Sequence, residues 1–274
     1  MKPAGARAAK PLPEVTLSEF DGVRFLHLDS IWVQGAMRIN KPQHVELVYI
    51  QRMLASLLWL PTATLGEGRA VQLGLGAGAL TRFTAKALGM ATTAVEINKA
   101  VVEVNARWFH LPREAEVVVG DAADWLHQAE AESVRLLQVD LYDEEAAAPV
   151  LDGAPFYAAC RRVLERTGGL MSVNLFGRHA SFARSIALVA EAFGADQVWS
   201  VMPTREGNTV VVAGRGVVVP GREELAARAE VLERRFGPLG LPARKWLRMV
   251  RPFVAAAPES DPSGPATAPH RPAR

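Results

Sequence analysis

A single cysteine in 274 residues excludes a disulfide within the chain, and Cys160 has no neighbours at metal-ligand spacing. That usage fits a reducing compartment, so a cytoplasmic protein is expected. No run approaches the ~18 to 20 uninterrupted apolar residues of a membrane span. The best is the short stretch around Met53 to Leu60, which predicts a soluble chain with no membrane partner. An excess of charge is missing as well. With 31 basic and 29 acidic side chains the formal charge is +2, and no basic stripe is present to follow a phosphate backbone, so nucleic acid is not an expected partner. The N-terminal MKPAGARAAKPLP lacks the apolar core of a secretory signal. His27, His44, His110, His127 and His179 are scattered without ligand spacing, which argues against a metal. Ser56, Ser172 and Ser181 lie outside any nucleophile-elbow pattern, which argues against a serine hydrolase.

What is present is an ordinary globular composition, 49% hydrophobic and 22% charged, in a chain long enough to bury a large core. Residues 1–13 read as a loose arm, and 255–274, rich in Pro, Ala and Ser, as a tail with no apolar face to offset its ordering. Residues 14–60 read as a small β-hairpin unit with turns at Asp21-Gly22 and Asp29-Ser30, followed by an amphipathic helix. Pro42 suits that helix's first turn, and Val45, Val48, Tyr49, Met53, Leu57 and Leu60 recur at three and four residues. From 61 to 254 short Val- and Leu-rich runs alternate with helical stretches. This is the signature of an α/β domain with a doubly wound, mostly parallel sheet. Ligands of such sheets bind outside the C-terminal ends of the strands.

Chemistry is therefore sought at those ends. The first strand runs into Gly74-Leu75-Gly76-Ala77-Gly78 and a helix, which lets the backbone approach a ligand closely. The next strand ends at Glu96, 18 residues past Gly78, where a carboxylate can accept from both hydroxyls of a ribose. A tight turn and a solvated acid would each explain one of these features alone; their joint spacing points to a nucleoside. The full GxGxxG spacing of a dinucleotide site is absent, since Thr81 occupies the third position. The third strand ends at Asp121, followed by Ala122; Asp121 either meets an adenine amine, caps a helix, or does both. The fourth delivers Asp140, with Tyr142 and Asp143 in the loop that follows. Two carboxylates in that loop would attract a cationic amine, and one could take its proton. Glu144 and Glu145 read as a solvated acidic loop, Cys160 as a small buried apolar residue, and the six tryptophans as packing.

The ordered set GLGAG, AVEIN, VVVGDA and VDLYDEEA, followed by FYAACRRVLERTGGLMSVNLF, resembles the spermidine synthase family of aminopropyltransferases. The likeness covers about Leu28 to Gly214 and implies the class I methyltransferase fold, which is Rossmann-like. By position it implies that Gly74, Gly76 and Gly78 line a nucleoside site, Glu96 holds the ribose, Asp121 and Ala122 meet the adenine, and Gln34 reaches the co-substrate. It further implies that Asp143 orients and deprotonates the attacking amine with Asp140 assisting, and that Tyr49 lies near the amine. Transfer would be an in-line displacement at the carbon beside a sulfonium. The implied co-substrate is decarboxylated S-adenosylmethionine, or S-adenosylmethionine itself, and the partner is a small-molecule amine; the likeness also allows a homodimer through the N-terminal β unit. Two departures stand out. Ala77 replaces the aspartate that in the family holds the donor's ammonium, and Tyr49-Ile50-Gln51 replaces Tyr-His-Glu. An S-adenosylmethionine-dependent methyltransferase and a catalytically idle nucleoside-binding scaffold stay open as alternatives.

Overall fold

The computed structural model describes residues 12–30, 32–141, 153–176 and 179–254. The described chain opens with three antiparallel strands, β1 (Val15–Phe20), β2 (Val23–Leu28) and β3 (Gly35–Arg38). Asp21 and Gly22 both take positive φ, 48° and 71°, between β1 and β2. That double left-handed turn matches the twist of a tight hairpin. Helix α1 (Val48–Met53) and a 3₁₀ turn over Leu54–Trp59 then lead into the main domain.

The helix is shorter than the apolar spacing predicts. It begins at Val48 rather than near Pro42, because the amide of the buried Val45 donates to the Leu239 carbonyl 2.8 Å away instead of to a helical partner. Beyond Met53, every residue from Leu54 to Trp59 is buried, and so is Leu60. An element apolar on all sides lies within a core rather than over one.

The main sheet comprises β4 (Arg69–Leu73), β5 (Ala91–Glu96), β6 (Glu116–Val119), β7 (Leu136–Val139), β8 (Gly169–Phe176), β9 (Val198–Val201), β10 (Asn208–Arg215) and β11 (Val250–Pro252). Their spatial order is β11-β9-β10-β8-β7-β4-β5-β6. Strands β6, β5, β4, β7 and β8 are parallel, while β10 runs antiparallel to both β8 and β9. The chain starts at β4 in the middle, winds to one edge, and returns to β7 beside β4. The β4/β7 boundary is thus where the winding reverses, which is where such a sheet places its ligand.

Helices cover both faces. On one side, α1, the Leu54–Trp59 turn and α7 (Arg222–Phe236) bury Ala70, Leu136, Leu170, Val210 and Val212. On the other, α4 (Ala122–Gln128), α5 (Ala154–Val163) and α6 (His179–Phe193) cover Val71, Leu73, Leu137, Val139, Met171 and Val173. Between β4 and β5 the chain forms α2 (Ala79–Arg82) and a π-helical segment, Phe83–Leu88; α3 (Lys99–Trp108) joins β5 to β6. Helix α7, a short α8 (Ala243–Trp246) and β11 are not anticipated by the sequence reading. Charged residues dominate α7, and only Ala229, Leu232 and Phe236 mark its buried stripe.

No helix among the described residues is long and apolar enough to cross a membrane. Cys160 is buried on α5, as its apolar neighbours imply, and burial pushes its thiol far up. Trp59, Trp199 and Trp246 are core residues, but Trp32 and Trp108 are exposed.

Candidate active site at the strand ends

Along the face covered by α1, the central strands form three layers. The lowest is apolar: Ala70 of β4, Leu136 of β7 and Leu170 of β8 stand in register. One pleat higher come Gln72, Gln138 and Ser172, all buried. At the C-terminal ends Gly74, Asp140 and Asn174 form the top layer, and Asn208 joins from antiparallel β10.

Asp140 is the centre of that layer. Its Oδ1 accepts from Asn174 Nδ2 at 2.9 Å and its Oδ2 from the Tyr49 hydroxyl at 3.1 Å. Asn174 Oδ1 in turn accepts from Asn208 Nδ2 at 3.2 Å. The residue keeps some surface, yet its carboxyl group is enclosed. Burial raises its pKa, and the bonds from Asn174 and Tyr49 oppose the rise. The result is a carboxylate more basic than a solvated one, pinned from two sides. Asn174 and Asn208 are absent from the sequence reading. The signal for Asn174 was a lone amide near the end of the otherwise apolar run GLMSVNLF.

Side chains are excluded at the glycines of this loop. Gly74 has φ 85°, and a Cβ on it would lie 2.1 Å from the Asp140 carbonyl. Gly76, at φ 51°, has the Gln34 carbonyl 2.9 Å from where its Cβ would be. The segment joining β2 to β3 therefore rests directly on the loop, with Gln34 at the contact. Gly78 begins α2 in a left-handed conformation.

Glu96 is buried at the end of β5. Its Oε2 accepts from the Leu75 amide and its Oε1 from the Asn98 amide, both at 2.9 Å. Desolvation raises its pKa while these amides hold it down. A carboxylate has about four acceptor positions, which leaves room for a ribose hydroxyl beside these amides. Asp121 is exposed and caps α4: its Oδ1 accepts from the Ala123 and Asp124 amides at 2.8 and 3.1 Å. Ala122 behind it is buried. The Gly120 amide donates to the Glu96 carbonyl at 3.0 Å, which fixes the Asp121 end beside Glu96.

The structure thus sets the glycine loop, Glu96, Asp121 and Asp140 along one rim and brings Gln34 and Tyr49 to it. Tyr142 and Asp143 lie outside the described residues. Gln51, where the family pattern has an acid, donates Nε2 to the Val45 carbonyl at 2.8 Å and supplies no charge to the rim. Among the described residues no cluster of His, Cys, Asp and Glu could hold a metal ion.

No protein-family model matches the chain. A curated relative does: a polyamine aminopropyltransferase of Chromobacterium violaceum is 32% identical over 237 residues, spanning 84% of this chain and 87% of that protein. The chain belongs to the polyamine aminopropyltransferase family. A polyamine aminopropyltransferase of Neisseria meningitidis is 28% identical over 235 residues, with the same coverage of 84% and 87%. Among solved structures, a probable spermidine synthase from Corynebacterium glutamicum superposes with a TM-score of 0.68 at 18% identity, covering 92% of this chain and 95% of that one. Human methyltransferase-like protein 13 in complex with SAH gives 0.61 at 20% identity, over 79% and 99% of the two chains. These likenesses place the polyamine aminopropyltransferase family's fold beside that of class I methyltransferases.

Proposed function

We propose that the chain moves an aminopropyl group from decarboxylated S-adenosylmethionine to a small primary amine, a transfer of polyamine biosynthesis. The observation that carries this reading is the Asp140 carboxylate at the winding reversal, pinned by Tyr49 and Asn174 and made basic by burial. Family membership supplies the reaction class.

In this reading the donor's nucleoside lies along Gly74, Gly76 and Gly78. Glu96 accepts from the ribose hydroxyls, and Asp121 with Ala122 borders the adenine. Gln34 closes over the donor from the N-terminal unit. Tyr49 and Tyr142 flank the amine, Asp143 orients it and takes its proton, and Asp140 assists. An amine nucleophile must lose a proton to attack, and a raised carboxylate pKa makes that transfer easier. The nitrogen then displaces the sulfonium in line. Because the thioether is a good leaving group, most of what the protein contributes is alignment.

The test is Asp143→Asn in the full chain. Donor binding measured by calorimetry should stay nearly unchanged while transfer is lost. Turnover equal to that of the parent would remove Asp143 from the mechanism.

A further inference from the structure

Directly behind the glycine loop the protein buries a guanidinium that no carboxylate among the described residues compensates. Arg82, the last residue of α2, is 3% exposed. It donates Nη1 to the carbonyls of Ala77 and Phe109, at 2.6 and 2.7 Å, and Nε to the carbonyl of Pro42 at 2.8 Å. Its Nη2 is buried without a partner, and among the described residues no acid lies within ion-pair distance. Desolvation alone lowers its pKa, to about 10, so it stays charged at neutral pH. Buried cations are ordinarily paired, since an uncompensated charge in a dry site is costly. Asn105 is equally incomplete: its Nδ2 bonds the Gly76 carbonyl at 2.7 Å, while its Oδ1 is buried and unpartnered. Both groups meet at Gly78, where a Cβ would lie 2.8 Å from Asn105 Oδ1 and 3.3 Å from Arg82 Nη1. The loop itself, from Gly74 to Ala79, carries no acid, and Ala77 is buried against Gly35.

From this arrangement we infer that Arg82 selects the charge of the donor's tail, and that the chain also uses S-adenosylmethionine to transfer a 3-amino-3-carboxypropyl group. This rests on the reading that the donor lies along the Gly74–Gly78 loop. Decarboxylated S-adenosylmethionine brings an ammonium to this positive region, where the loop from Gly74 to Ala79 offers it no acid. The intact donor brings an ammonium and a carboxylate together, so its tail is neutral overall and its anionic end is favoured near Arg82. The chemistry is the same displacement. The amine nitrogen attacks the methylene carbon beside sulfur, the carbon–sulfur bond breaks, and its electron pair leaves on sulfur as methylthioadenosine. The amine's proton passes to the rim carboxylate and then to water, and the transferred chain keeps its carboxyl group.

The full-length protein is titrated calorimetrically with each donor, then incubated with each donor and 1,4-diaminobutane, and products are identified by mass spectrometry. The inference expects the intact donor to bind at least as tightly as the decarboxylated one, and to yield methylthioadenosine with a carboxylated amine product. Arg82→Met should weaken the intact donor relative to the decarboxylated one by about tenfold or more, the scale of one neighbouring charge. Because a buried site can fail to fold when changed, Ala77→Asp gives a second readout: it should reverse the binding preference toward the decarboxylated donor. Methylthioadenosine from the decarboxylated donor alone, with that donor bound at least about tenfold more tightly, would overturn this inference and leave the proposed function standing. S-adenosylhomocysteine from the intact donor would overturn it in favour of methyl transfer. Methylthioadenosine from neither donor would overturn both.

Discussion

The hydroxyl of Tyr49 donates to Oδ2 of Asp140 across 3.1 Å, joining α1 to the end of β7. One residue belongs to the N-terminal unit and the other to the central sheet. The geometry of the assisting carboxylate therefore depends on how those two parts meet. Replacing Tyr49 by Phe should cut turnover at neutral pH about tenfold or more, because a hydrogen bond to a charged group is worth about 1.5 to 3 kcal/mol. The Tyr49 bond lowers the Asp140 pKa. Its loss should move the acid limb of the pH–rate profile upward, whereas a variant that merely loosened the fold would scale the profile without shifting it.

Asp140→Asn separates stability from activity. Asp140 has a folded pKa raised above its unfolded value. Its contribution to stability is therefore full below the unfolded pKa and lost as pH rises through the folded one. The Asn variant should match the parent in acid and equal or exceed its thermal stability at neutral pH, while transfer is lost. Thermal unfolding followed across that pH range checks the sign.

Much of this rim was legible in the sequence because its residues sit where strands end. GLGAG and Glu96 follow Val- and Leu-rich runs that read as parallel strands, and their spacing points to a nucleoside. What was not legible arose from long-range contacts. Val45 bonds to Leu239 and shortens α1, a pairing no local pattern encodes. Asn208 reaches Asn174 only because β10 turns antiparallel beside β8. Helix α7 was hidden by its charged outer face, and nothing in the local pattern marks Arg82, which the carbonyls of Ala77 and of the distant Pro42 and Phe109 enclose.

Glu96→Gln tests the ribose reading. The carboxylate accepts from two main-chain amides, one on each oxygen. A Gln side chain would turn a donor toward one of them. Donor affinity should fall about tenfold or more, and stability by about 1 to 3 kcal/mol, as expected when a buried amide loses its acceptor. Calorimetry and urea unfolding read the two effects separately; unchanged donor affinity would remove Glu96 from the site.

Gln138 carries a cost of the opposite kind. Both atoms of its amide are buried without partners, as is the Ser172 hydroxyl beside it in register. Unpaired buried polar groups destabilise by about 1 to 3 kcal/mol. Gln138→Leu, which keeps the volume, should raise the midpoint of thermal unfolding. A lowered midpoint would mean that the amide is satisfied in solution.

Aminopropyl transfer is tested by whether the full-length protein releases methylthioadenosine from decarboxylated S-adenosylmethionine when, and only when, a primary amine is supplied. Amine-dependent release with a matching aminopropylated product is the predicted result. A donor that binds but yields no methylthioadenosine with any amine offered would rule out aminopropyl transfer and turn the same rim into a nucleoside-binding surface without this chemistry.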